Sequence, residues 1–340
     1  MSYLSKKAIS LCLFGIVSCC MPLFADENGT QDNLTSGISQ LEPIRVVGEM
    51  PTSGGGDPAV ISSDYIKNAP TGTSAVTDLL RGKSYIQFDQ TSRGSATGGE
   101  IAPPKVSIHG SKHYENSFLI NGVGNNNNIN PGGLAYSSSM QTAQPKGEAQ
   151  TLFLDTSLID SVAVYTENIG ADYGGFLGGV IDAKIKDAST DRWHIGSTYR
   201  YTNDGWAKFN WTQTEESLLG NTTTAALQPE FTKYEYTLSA DGPITDSLGL
   251  MLSYGKKESK IPLWSKYTNK SDGSRERRVQ HRNNENFLVK LNTNDLDDLK
   301  ISLTGIYAPY EHTLFIPDYR NSDYSIDSGG YTLIYDMENA

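Results

Sequence analysis

From residue 191 onward the sequence alternates with a period of two, and this constrains the fold more than any other feature. Leu248, Leu250, Leu252 and Tyr254 fall on one face of an extended segment, and Ser247, Gly249, Met251 and Ser253 on the other. Phe287, Val289 and Leu291 alternate with Asn286, Lys290 and Asn292, Leu288 being the break in the polar face. Leu299, Ile301, Leu303 and Tyr307 alternate with Lys300, Ser302 and Thr304. Successive side chains of a strand point to opposite faces, so each run is apolar on one side and small or polar on the other. Strands of about ten residues with this pattern suit a transmembrane barrel. A soluble β-sandwich shows the same alternation in shorter pieces, so the pattern alone leaves both open.

The connections favour the barrel. Asp241 to Asp246 (DGPITD) and Thr293 to Asp298 (TNDLDD) read as short turns, whereas residues 257–281 and 309–328 are long and polar. Short turns at one end and long loops at the other are the mark of outer-membrane barrels. The first strand is expected at Trp193–Thr202, the second over residues 231–240 and the last over Gly329–Met337, six in all. Residues 203–230 form an external excursion that contains strand-like Trp206–Trp211. Past the N-terminus no run of about 20 apolar residues exists, which excludes a helical span. The mean hydropathy of -0.42, with 19 tyrosines, fits alternating strands.

The N-terminus reads as an export signal over residues 1–25. Lys6 and Lys7 precede the apolar stretch AISLCLFGIVSCCMPLF, and Ala25 precedes acidic DEN. Ile16-Val17-Ser18-Cys19 supports the alternative of a lipidated Cys19. All three cysteines (Cys12, Cys19, Cys20) lie in this segment, so cleavage after Ala25 leaves no disulfide framework. The net charge of -11 becomes more negative once Lys6 and Lys7 are lost, which argues against nucleic acid as a partner.

Residues 26–58 are rich in Asn, Gly, Ser, Thr and Pro and read as a flexible lead. Within it Glu42-Pro43-Ile44-Arg45-Val46-Val47-Gly48 is β-prone and isolated, the kind of peptide that another protein binds by sheet addition. Residues 59–188 read as a compact α+β unit. Asp64-Tyr65-Ile66 and Val76-Thr77-Asp78-Leu79-Leu80 have helical spacing, with Asp64 and Thr73 or Ser74 as candidate caps. Lys105–His109 and Ser117–Ile120 read as strands around a turn, Asn121-Gly122 as the next turn, and Ser161–Tyr165 and Gly179–Ala183 as further strands. A polar stretch over residues 124–150 separates them, long enough to be functional or disordered. In ADYGGFLGGVIDAKIKD, residues 171–187, four glycines suit turns and a close backbone approach to a wall.

In this order the pieces resemble the TonB-dependent outer-membrane receptors. Glu42–Gly48 resembles their TonB box, Val76–Leu80 their DLL helix, and Val106-Ser107-Ile108-His109-Gly110 their I-R-G stretch. Phe118–Val123 resembles L-x-D-G-V. Ile159–Val164, Tyr173-Gly174 and Gly178–Ile181 resemble the I-E-x-I-E-V, YG and GGVI signature, and Asp241–Asp246 the first periplasmic turn. His109 replaces the usual Arg, Asn121 the usual Asp, and Thr166-Glu167-Asn168 the usual Arg-Gly-Pro.

The resemblance implies an α+β plug domain (59–188) followed by antiparallel transmembrane β-barrel strands (189–340), about six where plugged barrels need about 22. Six strands cannot close around a plug, so an N-terminal fragment of a longer receptor, or a truncated reading frame, is expected. The resemblance further implies that Pro43, Ile44, Arg45, Val46 and Val47 bind TonB, and that the inner-membrane energising complex drives uptake of a scarce ligand such as an iron-siderophore or haem. The chain would sit in the cell outer membrane, in contact with its lipid. A passive porin-like channel or an exported β-rich binding or adhesion protein are the alternatives.

No catalytic arrangement, phosphate-cradling loop or Cys-based metal site is present, so neither an enzyme nor a cofactor is expected. Asn125, Asn126, Asn127, Asn128 and Tyr136 are the candidates for ligand contact, because plug loops of this family face the vestibule and Asn offers donors and acceptors. Arg275, Arg277, Arg278 and Arg282 form a basic cluster that suits an anionic ligand, lipopolysaccharide phosphate or an ordinary loop edge.

Overall fold

The computed structural model describes residues 58–339, less position 70 and stretches within 90–95, 130–147, 210–226, 266–275, 294–298 and 317–320. The export segment, the Pro43–Val47 peptide and Tyr136 lie outside the described residues.

The first region builds a small sheet from strands β1 (Ala59–Ile61), β4 (Ser117–Ile120), β5 (Val123–Gly124), β6 (Ile159–Tyr165) and β7 (Val180–Ile185), in the order β1-β6-β7-β4-β5. Strands β4 and β7 are parallel, and the other pairs are antiparallel. Asn121 and Gly122 turn β4 into β5 with φ of 47° and 74°. Asparagine and glycine tolerate that left-handed geometry best, as the Asn-Gly pair predicts. Strands β2 (Ile86–Phe88) and β3 (Val106–Ile108) form a separate ribbon. Thus β3 does not pair with β4 as the sequence suggested, because β4 takes β7 as its neighbour instead.

Helix α1 (Ser63–Asn68) starts after Ser62, not Asp64, and Val76–Leu80 forms a 3-10 turn that buries Leu79 and Leu80. Neither Thr73 nor Ser74 caps that turn with its side chain. The carboxylate of Asp78 instead accepts the Thr73 amide at 2.8 Å and hydroxyl at 2.7 Å.

The second region is one antiparallel sheet in sequence order: β8 (His194–Asn203), β9 (Thr232–Thr245), β10 (Leu248–Ser265), β11 (Glu276–Thr293), β12 (Leu299–Leu314) and β13 (Tyr324–Asn339). The six expected strands are present, but β10 and β11 run 18 residues each and β12 and β13 run 16. Most of the expected loops 257–281 and 309–328 is therefore strand. A ladder needs only backbone partners, and it continues where the outer face turns polar. Likewise DGPITD is strand up to Thr245, with Asp246-Ser247 as the turn, and Trp206 closes a 3-10 turn where a strand was expected.

Burial in this sheet is inverted relative to a soluble protein. Leu252, Val289, Leu303 and Leu333 are 40–73% exposed, while Asn284, Asn286, Lys290, Asn292, Ser302 and Thr304 are buried. The apolar face looks outward, as lipid requires, and the polar face looks into the lumen. Register places Tyr199 beside Tyr236, Tyr254 beside Phe287, Phe287 beside Tyr307, and Tyr307 beside Tyr331. Ring centroids from Tyr236 to Tyr331 step 5.7, 4.6, 5.9 and 4.5 Å apart. This row is an aromatic girdle, where amphipathic rings sit at the membrane–water boundary.

The small sheet packs against the lumen face, and its core is continuous with the wall. Val162, Ile181 and Ile185 belong to one buried cluster with Met251, Leu288, Ile306 and Ile334. Leu288, the break in the polar pattern of β11, is thus a lumen residue that meets the plug.

Candidate functional site

The contact between the two regions is the site, and polar contacts hold it at three heights. At the end of the long connections, Glu100 receives both Arg282 nitrogens, at 3.0 and 3.1 Å, and the Gln228 amide at 2.8 Å. Gln228 also accepts the Gly99 amide at 3.0 Å. A bidentate arginine pair fixes orientation as well as distance.

Midway, Lys257 donates to the Thr73 carbonyl at 2.6 Å and lies 3.8 Å from both Asp155 and Glu235. Arg200 reaches the Ser74 hydroxyl and lies 3.7 Å from Glu235. Ser74 adopts φ of 52°, in the left-handed region that residues other than glycine rarely enter. Burial pushes the Asp155 carboxyl up, but Lys257 and the Ser157 hydrogen bonds outweigh it and hold it below the usual carboxylate range.

At the end of the short turns, Asp187 takes Lys290 at 2.7 Å and Lys300 at 2.6 Å, and Lys290 also reaches the Ile185 carbonyl at 3.1 Å. These two lysines outweigh burial and hold the Asp187 carboxyl below its ordinary range. Asn292 brackets the Ala188 backbone, accepting its amide at 2.7 Å and donating to its carbonyl at 3.2 Å. Gly249 is bare for this approach, since a Cβ there would lie 2.9 Å from the Ala188 carbonyl.

The glycines of ADYGGFLGGVIDAKIKD serve a different neighbour from the wall expected. A Cβ on Gly178 would lie 2.2 Å from Asn116 Oδ1, and one on Gly179 would lie 2.6 Å from the Tyr165 carbonyl. Both partners belong to the plug. Gly175 has φ of 73° and does make a turn.

Most of the asparagine run is spent locally. Asn125 donates to the Leu152 carbonyl at 2.9 Å and accepts its amide at 2.8 Å. Asn126 accepts the Phe118 amide at 2.7 Å and donates to the Asn116 carbonyl at 2.7 Å. Asn127 donates to the Glu148 carbonyl at 2.9 Å and accepts the Ile129 amide at 2.9 Å. They pin the two ends of the 124–150 excursion together, and Asn128 is exposed beside Ile129, itself 79% exposed.

Arg275 lies outside the described residues, and the other three arginines of the basic cluster do not form one patch. Arg277 pairs with Glu230, Arg278 pairs with Asp323 and lies over the Phe315 ring, and Arg282 is buried against Glu100. Alternation on β11 sends Arg277 outward and Arg282 inward, which sequence proximity hides. Among the described residues no group of three His, Cys, Asp or Glu side chains is placed to hold a metal ion.

Residues 55–180 match the family model described as TonB-dependent Receptor Plug Domain. The chain belongs to the TonB-dependent receptors. The uncharacterized protein YddB of Escherichia coli (strain K12) is 32% identical over 284 residues, covering 82% of this chain and 35% of the relative. The crystal structure of the outer membrane transporter YddB from Escherichia coli superposes with a TM-score of 0.70 at 29% identity, over 83% of this chain and 36% of that one. A ferric enterobactin receptor from Pseudomonas aeruginosa aligns at 12% identity with a TM-score of 0.47, over 81% of this chain and 35% of that one. The chain thus spans about a third of the length of the relatives it matches. The plug and the open six-stranded sheet are those of a TonB-dependent receptor, and its relatives are outer-membrane transporters.

Proposed function

We propose that this chain supplies the plug and the first wall strands of an energised outer-membrane importer without enzymatic activity. The observation that carries the reading is the inverted sheet with a folded domain anchored to its lumen face by Arg282, Lys257, Lys290 and Lys300. A passive channel needs an open lumen, and a secreted adhesin has no use for an apolar exterior.

In this reading residues 1–25 are a cleaved signal, with lipidation of Cys19 as the variant form. Residues 26–58 are a tether, 59–188 the plug and 189–340 the wall. Pro43, Ile44, Arg45, Val46 and Val47 add as a strand to TonB, whose inner-membrane complex supplies the work of moving the plug. The ligand is a scarce nutrient such as a ferric siderophore or haem. It meets Asn128 and Tyr136 on the vestibule side, with Asn125, Asn126 and Asn127 supporting that loop.

The test is site-directed cross-linking in the full-length receptor. A cysteine replacing Val46 should form a disulfide to a cysteine in TonB, and deletion of residues 43–48 should abolish energy-dependent uptake while the protein still reaches the outer membrane. Uptake unchanged by that deletion refutes the assignment.

A further inference from the structure

The wall divides its lumen-facing charges by height. Between the aromatic girdle and Gln280, the lumen faces of the described strands carry Arg200, Lys233, Lys257 and Arg282, with Glu235 as their one carboxylate. On β12 and β13 that stretch adds His312 but no carboxylate. Below the girdle the balance reverses. There the wall's lumen faces carry Lys290 and Lys300 against Asp241, Asp336 and Glu338, and the plug adds Lys184, Asp182 and Asp187.

Glu235 lies 3.7 Å from Arg200 and 3.8 Å from Lys257, and the other carboxylates that neutralise the upper cations come from the plug. Glu100 holds Arg282, and Asp155 lies 3.8 Å from Lys257. Arg200, Lys233 and Lys257 also line a cavity of about 40 Å³ with Glu100 and Glu235, so the seam between plug and wall has room for water. Any displacement of Glu100 and Asp155 leaves four wall cations facing one wall carboxylate. Buried charge stripped of its partner is strongly unfavourable until another counter-charge arrives.

Resting on the importer reading, we propose that the outer half of this wall is a track for an anionic ligand bearing carboxylate or phosphate oxygens. Glu100 and Asp155 occupy in the resting state the places that the ligand's oxyanions take during passage. The acidic lower half then weakens the hold on an anion as it leaves. Conduction needs this combination of attraction on entry and loose binding at exit.

The experiment uses the full-length receptor in planar bilayers under a potassium chloride gradient, with urea added to loosen the plug. Lys257→Gln/Arg282→Gln should lower the chloride-to-potassium permeability ratio several-fold against the parent, because rings of charged side chains set pore selectivity. Lys257→Arg/Arg282→Lys should keep the parental ratio. Pyrophosphate on the vestibule side should block the parent, and block Glu100→Gln/Asp155→Asn at lower concentration. If the neutral double variant fails to insert, Arg200→Gln/Lys233→Gln gives the same readout on the same cavity. A ratio unmoved by neutralisation, or a parent indifferent to pyrophosphate, overturns the proposal. No step of this experiment needs TonB, so failure here leaves the importer reading standing, and the two tests fail separately.

Discussion

Gly174 and Gly178 lie in one glycine-rich stretch, yet only one of them is sterically required. A Cβ on Gly174 meets nothing within 4 Å, whereas one on Gly178 collides with Asn116 Oδ1 and Ser111 Oγ. Asn116 is fully buried, donates to the Val106 carbonyl at 2.8 Å and accepts the Gly179 amide at 3.3 Å, so it has nowhere to retreat. Gly178→Ala should therefore destabilise the plug by about 1–3 kcal/mol, the usual cost of overpacking a filled core. Gly174→Ala should leave it unchanged. The midpoint of plug unfolding in urea, followed by protease cleavage in the full-length receptor, distinguishes them, and equal midpoints contradict the packing argument. The sequence marks where bare backbone is needed but not against what. Asn116, 62 residues away, is invisible as the partner. The same holds for Asn125 to Asn127, whose composition suits a ligand while Leu152, Phe118 and Glu148 take up their hydrogen bonds.

At the scale of the strand, legibility ends where the membrane ends. On β10 the outward residues Leu248, Leu250, Leu252 and Tyr254 announce a strand, and then Lys256, Glu258 and Lys260 take the same face. Over residues 256–260 both faces are polar and over 261–264 both are apolar, so the period vanishes from hydropathy and residues 257–265 look like loop although their ladder to β11 is unbroken. The number of strands and their order were readable, because each crosses the apolar slab once. Their ends were not, since a backbone ladder leaves no mark on a hydrophilic segment. The inversion has a direct consequence for substitution. Leu252→Arg puts a charge on the lipid face within the apolar band, two residues from the Tyr254 girdle, and should cost about 1–3 kcal/mol, between the interface and midplane values. Ser253→Ala, one residue along on the lumen face, should be close to neutral. Folding of the full-length receptor into lipid vesicles, read by heat-modifiable gel mobility, measures both. A soluble sandwich buried on its apolar face would penalise the serine side of the strand just as little but would not depend on bilayer thickness at Leu252, so repeating the titration in thinner vesicles separates the two architectures.

For the whole molecule the open edges dominate. Among the described residues β8 pairs only with β9, and β13 only with β12, so each leaves there a row of amide and carbonyl groups without a strand partner in the sheet. In water such an edge is tolerable, but in hydrocarbon each unsatisfied backbone group costs several kcal/mol. The plug packs against the lumen face, through Met251, Leu288, Ile306 and Ile334, and adds no strand to either edge among the described residues. The apolar exterior, with Tyr331 82% and Leu333 73% exposed, nevertheless makes these strands unsuited to water. A polypeptide of residues 26–340 alone should therefore neither stay soluble nor insert. It should associate with vesicles in a form that is open to protease and shows no heat-modifiable mobility. Adding downstream strands enough to close the sheet should give protease protection and the mobility shift together, since closure satisfies both edges in one step. Stable monomeric insertion of residues 26–340 would mean that the β8 and β13 edges are met from within the chain, which requires a wall curvature different from the one seen here.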